Sequence, residues 1–73
     1  MLWKLEYSDY RIKPELAHGK TDALSKAFKT LMSYPYLSVD LYKFRGDEKI
    51  YVGTYEMRKK WREDWKLVEK KKR

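Results

Sequence analysis

The sequence predicts an α+β domain: a three-stranded sheet in the order β-α-β-β-α, with one helix on its aliphatic face and a basic amphipathic helix at the C-terminal end. Three observations predict it. Residues 37–57 alternate about Gly46-Asp47 as a β-hairpin does, residues 22–33 carry apolar side chains at helical spacing, and after Met57 the apolar period changes from two to that of a helix.

Trp3, Leu5 and Tyr7 alternate with Lys4 and Glu6, the pattern of a strand with one buried face. Ser8-Asp9 breaks the alternation, and Tyr10 and Ile12 resume it out of phase, which predicts a bulge or turn. Residues 13–19 have Pro14 where a helical turn begins and Gly19 where one ends. Thr21 is placed to cap the helix that follows, with Asp22 in its first turn suiting the helix dipole. Leu24, Ala27, Phe28 and Leu31 then recur at i, i+3, i+4 and i+7, and Pro35 stops the helix.

In the hairpin, Gly46-Asp47 is the Gly-X pair of a type II′ two-residue turn, which sets Arg45 opposite Glu48. Leu41 then faces Val52, Val39 faces Thr54 and Lys43 faces Ile50 on one side. On the other, Tyr42 faces Tyr51, Phe44 faces Lys49 and Ser38 faces Tyr55. Aliphatic and aromatic residues separate in this register, and a slip of one residue would mix them. The helix over 22–33 is expected on the aliphatic face of Val39, Leu41, Ile50 and Val52. As a right-handed crossover it sets the first strand beside the third, in spatial order 1-3-2.

Beyond the hairpin, Met57, Trp61, Trp65 and Val68 line one side of the expected second helix, and Arg58, Arg62, Lys66 and Lys70 form a row at i+4 spacing beside them. That apolar stripe needs a partner, and the aromatic face of Tyr42, Phe44, Tyr51 and Tyr55 is the available one. Left uncovered, the same four side chains, interleaved with Lys49, have the chemistry of a stacking platform for unpaired bases. Residues 70–73 are expected to fray.

Seventy-three residues make one domain, residues 1–73, near the size at which a single core just suffices. Without cysteine, and with His18 the sole histidine, neither a disulfide framework nor a zinc site is expected, and no cofactor is implied. Charge appears early in the chain and no apolar run reaches membrane-spanning length. The expectation is a soluble cytoplasmic protein with no membrane insertion. Its net charge of +7 is uneven: residues 58–73 hold nine Lys or Arg against Glu63, Asp64 and Glu69, and residues 1–57 hold nine against eight acids. A basic end on a nearly neutral body points to a polyanionic partner.

Gly19-Lys20-Thr21 has the ending of a phosphate-binding loop, but Pro14 stands where its first glycine belongs, so a glycine turn with a threonine cap is expected. No paired general acid and base stands out. Ile50-Tyr51-Val52-Gly53-Thr54-Tyr55, with a helix expected after it, resembles the end of the sheet in small integrase arm-type DNA-binding domains. The resemblance spans six residues of 73 and implies major-groove reading by the sheet.

The function expected is non-catalytic nucleic-acid binding, to DNA or RNA, with Arg58, Lys59, Arg62, Lys66 and Lys70 on phosphates. An alternative is a protein-binding regulator or inhibitor, of the kind a virus or mobile element encodes, docking on an acidic protein surface. A third is a ribonuclease-type toxin using His18 and lysines.

Overall fold

In the computed structural model, which describes residues 1–70, strands β1 (Trp3–Tyr7), β2 (Glu15–Ala17), β3 (Ser38–Arg45), β4 (Glu48–Arg58) and β5 (Lys66–Lys70) form one antiparallel sheet. Its order is β2-β1-β3-β4-β5. Helix α1 (Lys20–Ser33) lies on one face and is the sole helix among the described residues. The fold is thus α+β, but the expected three strands and two helices are overturned.

The predicted C-terminal helix is absent. β4 runs on to Arg58, and residues 66–70 return as β5, with Met57 opposite Leu67 and Arg58 opposite Lys66. The competing force is backbone pairing. A β4 that ended the sheet would leave a row of unpaired N–H and C=O groups, and β5 pairs five residues of it. Met57 is buried, while Leu67 and Trp65 are half-buried against the core. The fray expected beyond Lys70 lies outside the described residues.

β1 also sits elsewhere than expected. It pairs with β3, not with β4, and runs antiparallel to it, so the order 1-3-2 and its right-handed crossover do not arise. Residues 15–17 form strand β2 where a helical turn was expected. Glu15 supplies the reason: one oxygen of its carboxylate accepts the Tyr7 hydroxyl and, at 2.8 Å, the Thr30 hydroxyl, tying β2 to β1 and α1 at once. Lys26 Nζ donates to the Leu16 carbonyl at 2.7 Å, satisfying a group on this edge strand. Burial, with the Glu15 carboxylate beside it, pushes the Tyr7 phenol well above its ordinary pKa.

α1 starts two residues before the expected boundary, with Gly19 at the cap and Thr21 inside. No side chain caps it, and Asp22 instead accepts the His18 backbone N–H at 3.0 Å. The helix packs through Ala23, Ala27 and Leu31, all fully buried, above Leu5, Val39 and Leu41. The two alanines let its backbone approach the sheet, and this turns Phe28 outward to 39% exposure and leaves Leu24 half-buried.

The hairpin turn forms as predicted. Gly46 has φ +64° and Asp47 has no positive φ, the pattern of a type II′ turn, and Arg45 pairs with Glu48. The pairs Phe44–Lys49, Lys43–Ile50 and Tyr42–Tyr51 follow. Past Tyr42 the register shifts: Leu41 pairs with Gly53, Val39 with Tyr55 and Ser38 with Glu56, leaving Val52 as an extra residue. Val39 and Leu41 lie under the helix as expected, whereas Ile50 and Val52 are half-buried, with Val52 packed against the core. Because the left-handed backbone at residue 46 costs a β-branched side chain about 1–2 kcal/mol, Gly46→Val should lower the urea midpoint of unfolding. An unchanged midpoint would overturn the turn assignment.

Candidate nucleic-acid interface

The sheet has one face under α1 and one that no described helix covers. Cross-strand neighbours share a face, so β1 contributes Lys4 and Glu6 to the uncovered side, β3 Asp40, Tyr42 and Phe44, and β4 Lys49, Tyr51, Thr54, Glu56 and Arg58. β5 adds Lys66, Val68 and Lys70. With the second helix absent, the expected burial of the aromatic face under Trp61 and Trp65 is overturned. Tyr42, Phe44 and Tyr51 share this face, whereas the register shift carries Tyr55 to the helix side, where it is core at 9% exposure.

The aromatic centre is tightly specified. Tyr42 and Tyr51 meet edge to face with centroids 5.7 Å apart. The Tyr51 hydroxyl lies 2.5 Å from Thr54 Oγ1, which donates to Asp40 Oδ1 at 2.5 Å, so a buried threonine holds the ring against its neighbours. Lys49 Nζ stands 4.2 Å from the centroid of Tyr42 and donates to Glu6 Oε2 at 2.5 Å. Lys4 reaches the same oxygen at 3.2 Å. The hydrogen bond from Lys49, helped by Lys4, holds the Glu6 carboxyl below the usual carboxylate range, and Glu6 in turn raises Lys49.

The cations expected in one row separate into three settings. Arg58 and Lys66 are cross-strand partners on β4 and β5, and Lys70 lies opposite Thr54. Arg58 is paired with Glu56 at 2.8 Å and Lys66 with Glu63 at 3.7 Å. Lys59 and Arg62 fall in the β4–β5 loop with Lys60, and among the described residues no ion pair holds any of the three. A backbone bond from Glu63 N–H to the Lys60 carbonyl at 3.0 Å shapes the loop, and Arg62 takes the left-handed φ of 66°. Trp61 stands between Lys60 and Arg62 at 87% exposure, while Trp65 roots the loop on the core. Residues 59–65 line an open concavity.

Sequence reasoning missed Lys4 and Glu6 as members of this surface. Their alternation with Trp3, Leu5 and Tyr7 gave the face but not the neighbour, and only β1 beside β3 brings them to Tyr42. His18 is exposed before α1, next to β2 and so at the opposite edge of the sheet from β5. Among the described residues no group of three His, Cys, Asp or Glu is placed to hold a metal, and no helix is long and apolar enough to cross a membrane. No family model, curated protein or solved structure matches this chain.

A lowered folded-state pKa means that the Glu6 pairing stabilises the fold above the ordinary glutamate pKa and is lost as pH falls through the depressed value. In a carbon-detected NMR titration Glu6 should therefore titrate below an ordinary glutamate, and Lys49→Gln should move its midpoint upward. An ordinary midpoint unaffected by Lys49→Gln would contradict the arrangement around Tyr42.

Proposed function

We propose that this chain is a small non-catalytic nucleic-acid-binding protein whose β4–β5 hairpin supplies the phosphate contacts. The observation that carries the reading is the hairpin loop, where Lys59, Lys60 and Arg62 stand exposed with no ion pair among the described residues. Arg58 and Lys66 flank them at the ends of the strands, where each is shared with a glutamate. A charge already paired on the surface gains less from a phosphate than one that is not, so Lys59, Lys60 and Arg62 lead and Arg58 and Lys66 add to them. Lys70, farther along β5, extends the same strip. Contacts of this kind give affinity and position rather than sequence readout.

A second reading, docking on a protein, is favoured by Phe28, Met32, Tyr34 and Tyr36, large side chains exposed along α1 and the turn after it. The turn after α1 lies at the same end of the sheet as the hairpin loop, since Ser38 pairs with Glu56, but its side chains are not the cations. The two readings therefore answer to different substitutions.

Neutralising each phosphate releases condensed counterions, so the slope of log K against log salt is about −0.9 per contact on duplex DNA and about −0.7 on single strands. The five contacts of Arg58, Lys59, Lys60, Arg62 and Lys66, without Lys70, give roughly −4.5 and −3.5 respectively. Lys60→Gln with Arg62→Gly should flatten the slope by about 1.8 or 1.4 units. Glycine at 62 also relieves the left-handed backbone, so weaker binding should come with a melting temperature unchanged or raised. Lys13→Gln with Lys29→Gln, charges away from the hairpin, should leave the slope nearly intact. Equal losses from both pairs would reduce the reading to diffuse attraction, and no binding at low salt would retire it.

A further inference from the structure

The hairpin loop holds more than charge, and what it adds narrows the ligand. We infer that the loop binds unpaired nucleic-acid segments, with Trp61 stacking on a base while Lys59, Lys60 and Arg62 hold the phosphates on either side; this rests on the nucleic-acid reading above. Trp61 is the most exposed of the three tryptophans: Trp3 is buried in β1 and Trp65 is half-buried against the core. An indole at 87% exposure leaves a large apolar ring in water, which a phosphate contact does not remove. A ring set among cations that have no ion pair among the described residues is complementary to one chemistry above others, a polyanion that carries flat apolar faces. Unpaired bases present those faces, and in a duplex they are closed by stacking.

The uncovered sheet face has the same composition. Tyr51 is 41% exposed beside Tyr42, and Lys49 stands at the Tyr42 ring. β4 joins the two places: Tyr51 lies on the strand whose last residue, Arg58, opens the loop. At about 3.3 Å per residue that stretch is roughly 23 Å long, so a strand leaving Trp61 along β4 passes Arg58 and reaches Tyr51. Duplex DNA offers the loop its phosphates alone, unless Trp61 is driven between stacked pairs, which costs unstacking.

The full chain would be titrated, at low salt, with a labelled oligothymidine of about 16 nucleotides, long enough for one site, and with a duplex of equal length. The single strand should bind more tightly and quench tryptophan emission. Trp61→Ala should weaken single-strand binding about 5- to 150-fold, the range of one base–aromatic stack, and leave the salt slope unchanged. Trp61→Phe should keep most of the affinity while removing most of the quenching. With its side chain in solvent, Trp61 is replaceable without loss of fold, which a thermal melt checks. Equal affinity for the two forms, with Trp61→Ala without effect, overturns the inference and leaves the phosphate-contact reading standing. Binding to neither form removes that reading and this one with it, and capture by phosphatidylserine vesicles in that case would place the Trp61 loop at a lipid surface instead.

Discussion

The extra residue that β4 carries opposite the Leu41–Tyr42 step of β3 decides which side chains of the longest strand meet the helix. Before it, Tyr51 faces away from α1 beside Tyr42. After it the phase reverses, so Gly53, Tyr55 and Met57 point to the helix side and are buried. Without the extra residue, Thr54 would take a core position and Tyr55 would join the other face. The bulge thereby places a hydroxyl, not a ring, next to Tyr51, and that hydroxyl links Tyr51 to Asp40. It also sets the phase in which β5 meets β4, with Leu67 against Met57 on the core side and Lys66 against Arg58 on the other.

One helix of fourteen residues is about 21 Å long and roughly 10 Å wide, enough for one face of this sheet and not for both. The core follows from that geometry. Small residues of α1 bring it down on Leu5, Val39 and Leu41, and the Tyr7–Glu15–Thr30 cluster ties the short edge strand β2 to the same assembly. The other face must tolerate water, as one side of an antiparallel sheet commonly does. Here it does so through rings bearing polar tips and through Lys4, Glu6 and Lys49, whose pairing covers part of Tyr42 while keeping the charges hydrated.

The sequence made local structure legible and left long-range pairing obscure. Gly46-Asp47 announces its turn because only glycine takes that backbone without strain, and the four pairs nearest the turn follow from it. The bulge was invisible, since Val52 fits either phase of an alternating strand. Residues 57–70 misled for a physical reason: Met57, Trp61, Trp65 and Val68 mimic a helical stripe, while the pairing that makes residues 66–70 a strand depends on β4 ending the sheet without them. The same is true of β1, whose buried face is plain in Trp3, Leu5 and Tyr7 but whose neighbour is a question of topology. For the candidate interface, composition drew attention to the cations but i+4 spacing grouped them as one helical row, whereas on a hairpin that spacing separates them.

The hairpin loop runs against what stability alone would select. Arg62 occupies a left-handed backbone conformation that glycine or asparagine would take at lower cost. Trp61 next to it leaves an indole in solvent, where a polar side chain would suit water better. Lys59, Lys60 and Arg62 gather like charges over four residues with no ion pair among the described ones, although Glu63 and Asp64 follow directly in the chain. Each feature costs a little by itself, and they coincide in one loop while the rest of the hairpin obeys ordinary rules of pairing and burial. Strain, exposed aromatic surface and charge without an ion pair among the described residues, collected at one place, support the proposed reading of a binding loop whose ligand would supply the missing partners. A partner that neutralises cations and covers a flat ring relieves the last two together, which is why charge and Trp61 belong in one explanation and not in two.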